Sequence, residues 1–175
     1  MVHYLLNNLI AGFKTSPVRE ARHSFVITVL FGIVALSVGS AARLFNYQLL
    51  DSNLIYILPI TLFVFPSLLE ESFFRGMLIP QDTKQKGLRR ILLVSLTSSI
   101  LFVLWHPLNA LTINKSAQDI FFNYYFLLIV FFLGMACSLS YILSRSLWVP
   151  IIIHWITIVV WVYLLGGRNL ILGNN

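Results

Sequence analysis

The chain has 175 residues, of which 58% are hydrophobic and only 10% charged, with a mean hydropathy of +0.86. A soluble domain carries about 25% charged residues, so this composition excludes an ordinary soluble enzyme and predicts a polytopic, all-α membrane protein. The formal charge of +6 is spread over short loops beside apolar runs. Anchoring of those loops at a membrane face accounts for it, and no nucleic-acid partner is expected.

Residues 1–13 (MVHYLLNNLIAGF) lack the basic start and long apolar core of a cleavable signal. Residues 1–23 therefore read as a cytoplasmic amphipathic segment lying on the membrane surface. Residues 24–175 form the integral membrane domain. Five apolar runs follow, at about 24–44, 54–79, 91–111, 121–144 and 147–165, against a need of about 20 residues for a spanning helix. The connections are short, so neighbouring helices are expected to be antiparallel.

Orientation follows from lysine and arginine. With the N-terminus inside, the inner segments hold Lys14, Arg19, Arg22, Lys84, Lys86, Arg89, Arg90 and Arg145. The outer ones hold Arg43, Lys115 and Arg168. With Arg75 set aside, this count of 8 against 3 predicts N-in, C-out. Such a chain belongs in a cell membrane, the inner membrane of a bacterium being the expected one. Cys137, the only cysteine, lies within an apolar run and is expected to serve packing.

The second run contains Leu69-Glu70-Glu71-Ser72-Phe73-Phe74-Arg75, two acids and a base where charge is expensive. A charge near the bilayer centre costs between roughly 2.5 and 17 kcal/mol depending on the method, so buried ionisable residues are candidates for function. Glu71 and Arg75 are four apart with the acid first, the favourable order for a pair on one helix face. Glu70 points about 100° away, at 3.6 residues per turn. Arg75 is thus expected to neutralise Glu71 and leave Glu70 free to act as a base toward water.

Two further spans each carry a histidine, His106 in Phe102-Val103-Leu104-Trp105-His106 and His154 in Ile152-Ile153-His154-Trp155. Asn109, Thr157 and small hydroxyls complete the polar inventory. One carboxylate and two histidines on three helices can hold a water between a base and donors. The same Glu70, His106 and His154 can bind a divalent metal such as zinc, although the HExxH arrangement that favours zinc is absent. Pro66, Pro107 and Pro150 lie beside the three polar sites and are expected to shape a cavity there.

The series Glu70-Glu71-x-x-x-Arg75, then Phe102-x-x-x-His106, then a late His154 resembles the CPBP family, the CAAX-type and bacteriocin-processing (Abi-like) glutamic intramembrane proteases. The resemblance covers about residues 54–161. It implies a helical membrane fold of about five spans around a mid-membrane polar cavity. It further implies an endopeptidase acting on a membrane-anchored protein or peptide within the lipid bilayer. Carried over, Glu70 is the catalytic glutamate, activating water with His106. Glu71, Arg75 and Phe102 support it, and His154 helps to stabilise the oxyanion. No cofactor is required by this chemistry, with zinc the alternative noted above.

One position departs from the pattern. Many members have Asn four residues after the last histidine, where this chain has Ile158. Trp161, one turn on, or Thr157 is the expected substitute donor. The compact size and the His-Trp-x-Thr-x-x-x-Trp ending resemble JDVT-CTERM-type or myxosortase-like members that process C-terminal sorting signals. A peptide or prenylated tail is the other substrate class. Two different functions compete: a non-catalytic bacteriocin-immunity-type protein of the same fold, and a proton-coupled transporter relaying protons through Glu and His.

Helix depth raises a conflict. At 1.5 Å per residue, Glu70 lies about 15 Å from Pro80 and His154 about 10 Å from Leu147, but His106 about 24 Å from Arg90. The third helix is therefore expected to begin outside the membrane, with Lys and Arg snorkelling along its start.

Overall fold

The computed structural model describes residues 2–18, 20–50 and 52–167, so Arg19 and Arg168 of the charge count lie outside the described residues. Every regular element among the described residues is helical. Helix α1 (Val2–Lys14) precedes α2 (Ala21–Ala41), which starts three residues before the sequence expectation of 24. An extended stretch from 44 to 50 then leads to the second apolar run.

That run is not one continuous helix. It contains α3 (Leu58–Leu62), a wider π-type segment Phe63–Leu68, the single turn α4 (Leu69–Glu71) and a second π-type segment Ser72–Met77. The break falls at Phe65, with φ −133° and ψ 119°. Pro66 explains it, because proline offers no amide hydrogen and pushes the residue before it into extended backbone. Leu62, four residues before the proline, loses its helical donor; the Ser67 hydroxyl donates to that carbonyl at 2.9 Å instead. Wide turns of this kind recur at functional sites; here they flank the α4 turn that carries both glutamates, and the second of them carries Arg75.

A 3₁₀ turn (Thr83–Lys86) leads into α5 (Leu88–Thr112). The short α6 (Gln118–Phe121) precedes α7 (Tyr124–Ser144), and α8 (Trp148–Leu164) follows. Helix α7 begins at Tyr124 because Asn123 caps it, accepting from the amides of Tyr125 at 2.9 Å and Phe126 at 3.2 Å. By length and composition α2, α5 and α7 are able to cross a membrane; α8 is apolar with 17 residues, the lower end of the spanning range of about 17–25. The five expected spans thus comprise three long helices, one short helix and one broken helix. The chain is a polytopic helical membrane protein.

Two contacts fix the frame around the site. Helices α5 and α7 approach through small residues: a Cβ on Gly134 would stand 3.1 Å from Ser99 Cβ and 3.2 Å from Ser99 Cα. Helix α1 is tied to the end of the broken helix through Asn8. Its amide nitrogen donates to Gly76 O and Ile79 O, both at 2.7 Å, and its Oδ1 accepts from the Gln81 amide at 2.9 Å. Asn8 thereby satisfies carbonyls that the helix end leaves open.

The loops bearing most of the positive charge meet at one end of the bundle. Lys84 Nζ lies 3.1 Å from Glu20 Oε1. The Ser146 hydroxyl donates to Thr15 O at 2.8 Å, and Gln81 Nε2 donates to Arg145 O at 3.3 Å. The Lys84 ammonium holds the partly exposed Glu20 carboxyl below its ordinary value. At the opposite end the Asn46 amide donates to Leu165 O at 3.1 Å, and the Tyr163 hydroxyl to Ile55 O.

Candidate active site

The polar site is built on three elements that the break at Phe65 brings level: α4 with the turns after it, α5 and α8. Glu71 and Arg75 are both fully buried, and Arg75 Nη1 donates to Glu71 Oε1 at 3.0 Å. The second guanidinium nitrogen donates to the Gly134 carbonyl at 3.0 Å. The Arg75 guanidinium also lies over the Phe102 ring, 4.5 Å from its centre. A planar cation with a fixed fork of donors suits this position, where one ammonium would not reach both acceptors and the ring.

His154 joins the same carboxylate. Its Nδ1 stands 2.8 Å from Glu71 Oε1, and its Nε2 faces Glu70 Oε2 at 3.9 Å. An ionised carboxylate only accepts, so Nδ1 carries the proton of that bond. Glu70 receives the Trp105 indole N–H on Oε1 at 2.8 Å. Its Oε2 is buried and accepts no hydrogen bond from a described residue.

His106 Nδ1 lies 2.9 Å from the Phe102 carbonyl. A carbonyl can only accept, so Nδ1 carries a hydrogen and the neutral ring has its lone pair on Nε2. Phe102 meets the His106 ring edge-on with centres 5.0 Å apart and the His154 ring at 5.5 Å. Phe121 and Phe126 close on His106 at 5.1 and 5.8 Å.

These groups border a cavity of about 620 Å³ whose lining includes Glu70, His106, Asn109, His154, Thr157, Ile158 and Trp161. Much of the remaining wall is apolar, including Phe31 and Leu36 of α2 and Phe65 and Pro66 at the break. Thr157 spends its hydroxyl proton within its own helix, donating to Ile153 O at 2.8 Å. The Trp161 ring packs against Phe126 with centres 5.5 Å apart.

All the residues singled out from the sequence lie around this one site. Glu71 and Arg75 form the pair their spacing predicts, and Glu70 is turned away from it. Three participants carried no clear signal: Trp105, the Gly134 carbonyl and Ser98, whose hydroxyl donates to Phe74 O at 2.9 Å. Only Trp105 had a local cue, as a polar N–H next to His106. Among the described residues no three His, Cys, Asp or Glu side chains converge as a metal-binding group. His154 Nδ1 is engaged by Glu71 and His106 Nδ1 by the Phe102 carbonyl, so Nε2 of each ring, with Glu70, is what this donor set would offer a metal.

A broken helix with two buried glutamates, and a histidine from each of two other helices beside the same cavity, define a polytopic helical membrane protein with a polar site in its interior. The chain matches the family described as Type II CAAX prenyl endopeptidase Rce1-like over residues 51–160. This match covers more than half of its length, and the chain belongs to that family. It is thereby a member of a family of membrane proteases, whose substrates are membrane-associated peptides. No curated protein and no solved structure matches the chain.

Proposed function

We propose that the protein is an intramembrane endopeptidase in which Glu70 activates water against a peptide bond of a membrane-anchored protein or peptide. The observation that carries this reading is the state of Glu70. One oxygen is fixed by Trp105 and the other is buried without a hydrogen bond, beside His154 and on the wall of the cavity.

The steps follow from the hydrogen bonds. His106, with Nδ1 given to Phe102 O, offers the Nε2 lone pair to one hydrogen of the water. Glu70 takes the other hydrogen as the water oxygen attacks the carbonyl carbon. The carbonyl electrons move onto oxygen and give a tetrahedral oxyanion. Glu70 then returns its proton to the amide nitrogen as the C–N bond breaks, leaving an acid and an amine. This is general acid–base catalysis by one carboxyl group.

Glu71 and Arg75 hold His154. With Nδ1 donating to Glu71, a second proton on Nε2 makes His154 a cation able to donate to the oxyanion, and Glu71 offsets that charge. Two glutamates, one arginine and one such histidine sum to zero charge, the condition a low-dielectric site favours.

The cluster of Lys14, Arg22, Lys84, Lys86, Arg89, Arg90 and Arg145 supports an inside orientation for that end, with α1 along the membrane surface as part of a cytoplasmic N-terminal segment. A bacterial inner membrane and a substrate with a C-terminal anchor or sorting signal complete the reading. A non-catalytic relative of the same fold is the second reading, favoured by Ile158 where an oxyanion donor is usual.

The test uses the purified full chain in liposomes with two internally quenched probes. One is a peptide ending in a farnesylated CAAX sequence, the other a peptide bearing a C-terminal transmembrane anchor. Hydrolysis of either, with one ¹⁸O from labelled water in the new carboxylate and no loss on adding a chelator, is the expected result. No hydrolysis of either supports the non-catalytic reading instead.

A further inference from the structure

We infer that Asn109 is a second oxyanion donor of this site beside His154, in the role left open by Ile158; the inference rests on the protease reading above. Four uncharged hydrogen-bonding side chains besides Asn109 line the cavity: Thr28, Asn114, Thr157 and Trp161. Thr28 donates to Ser24 O at 2.8 Å and Thr157 to Ile153 O at 2.8 Å, which uses the only proton of each. Asn114 Oδ1 accepts from the Ser116 hydroxyl at 2.9 Å, tying that amide to the surface turn. Trp161 has its ring in the aromatic wall against Phe126.

Asn109 differs from these. Its side chain is 7% exposed, and its Oδ1 is buried with no hydrogen-bond partner. The end of α5 is closed by backbone, Asn109 O accepting from the amides of Ile113 at 2.8 Å and Asn114 at 2.9 Å. The carboxamide is free of the local structure and borders the same cavity as Glu70, His106 and His154.

Position supports the role as well. Asn109 follows His106 by three residues on α5, which puts the two on one helix face. In this proposal a water held at His106 and Glu70 attacks the carbonyl carbon while Asn109, one turn along, donates to the carbonyl oxygen. The primary amide has two N–H donors, and exchanging its O and N ends aims either of them at the forming oxyanion. An unpaired buried amide is costly in a resting protein but is poised for a charge that appears only in the transition state.

The experiment compares Asn109→Leu, Asn109→Ala, Trp161→Phe and Glu70→Gln with the wild type, on whichever probe the wild type hydrolyses. Protein eluting as a single species is used, so that either Asn109 variant can decide if the other does not fold. Loss of one oxyanion donor costs about 10²–10³ in kcat. The expected result is a fall of that size in kcat for Asn109→Leu, with KM and melting temperature close to wild type and Trp161→Phe near wild type. A fall in kcat of less than about tenfold for the Asn109 variants, or a loss confined to KM, overturns the assignment. A comparable kcat loss in Trp161→Phe with the Asn109 variants active moves the role to Trp161. Hydrolysis by Glu70→Gln, or none by the wild type, removes the underlying reading whatever Asn109 does.

Discussion

His154 Nδ1 lies 2.8 Å from the same oxygen of Glu71 that accepts Arg75 at 3.0 Å, so one buried carboxylate orients both an imidazole and a guanidinium. The two adjacent glutamates therefore carry different loads. Glu71 is part of the fold, whereas Glu70 borders the cavity and has one buried oxygen that accepts no hydrogen bond from a described residue.

The first consequence concerns Glu71→Gln. The substitution removes the charge that faces buried Arg75 and His154, and breaking a buried pair in this way costs about 3–5 kcal/mol. We expect a marked fall in melting temperature in detergent and loss of activity together. A Glu71→Gln variant as stable as wild type would show that the pair does not hold the site.

Trp105→Phe isolates one hydrogen bond. Phenylalanine keeps most of the ring but cannot donate to Glu70 Oε1, where the indole N–H lies at 2.8 Å. A hydrogen bond to a charged group is worth about 1.5–3 kcal/mol, so kcat should fall by roughly ten- to a hundredfold with little change in KM. Steady-state kinetics on the quenched peptides check this, and unchanged kcat would mean that Trp105 only packs.

Asn8→Ala tests the docking of α1. The amide holds Gly76 O and Ile79 O, both at 2.7 Å, at the end of the broken helix that carries Glu70 and Arg75. Leaving buried acceptors unpaired costs about 1–3 kcal/mol each. The variant should melt at lower temperature and be cut sooner by an added soluble protease in the 15–20 connection. Wild-type stability would contradict a structural role for this segment.

The sequence and the structure agree where geometry is local and part where it is not. Glu71 and Arg75 could be paired from spacing alone, because both lie on one short helical stretch. The divergence of Glu70 from them was equally visible. The break at Phe65 was not placed, although Pro66 was noted, because proline alone does not say whether a membrane helix bends or parts. The 83-residue separation of Glu71 and His154 and the partnership of Trp105 with Glu70 depend on how α4, α5 and α8 meet. Periodicity along one helix carries no such information. Residues 1–13 suggested a helix at the membrane surface; that Asn8 would bind into the bundle needed the position of Gly76 and Ile79.

One tertiary contact bears on the depth of the third helix. Trp105 bonds to Glu70 although it lies 17 residues into α5, which begins at Leu88. At 1.5 Å per residue this puts Trp105 about 25 Å along α5 from its start, where Arg89 and Arg90 are exposed.

The most direct measurement for the central claim is turnover by Glu70→Gln in liposomes, beside wild type and with the folded state checked by melting temperature. The amide keeps the shape of the side chain but cannot take a proton from water. The account predicts a melting temperature near wild type and hydrolysis reduced to background. Hydrolysis at a rate near wild type would contradict it and assign the water-activating role to another group.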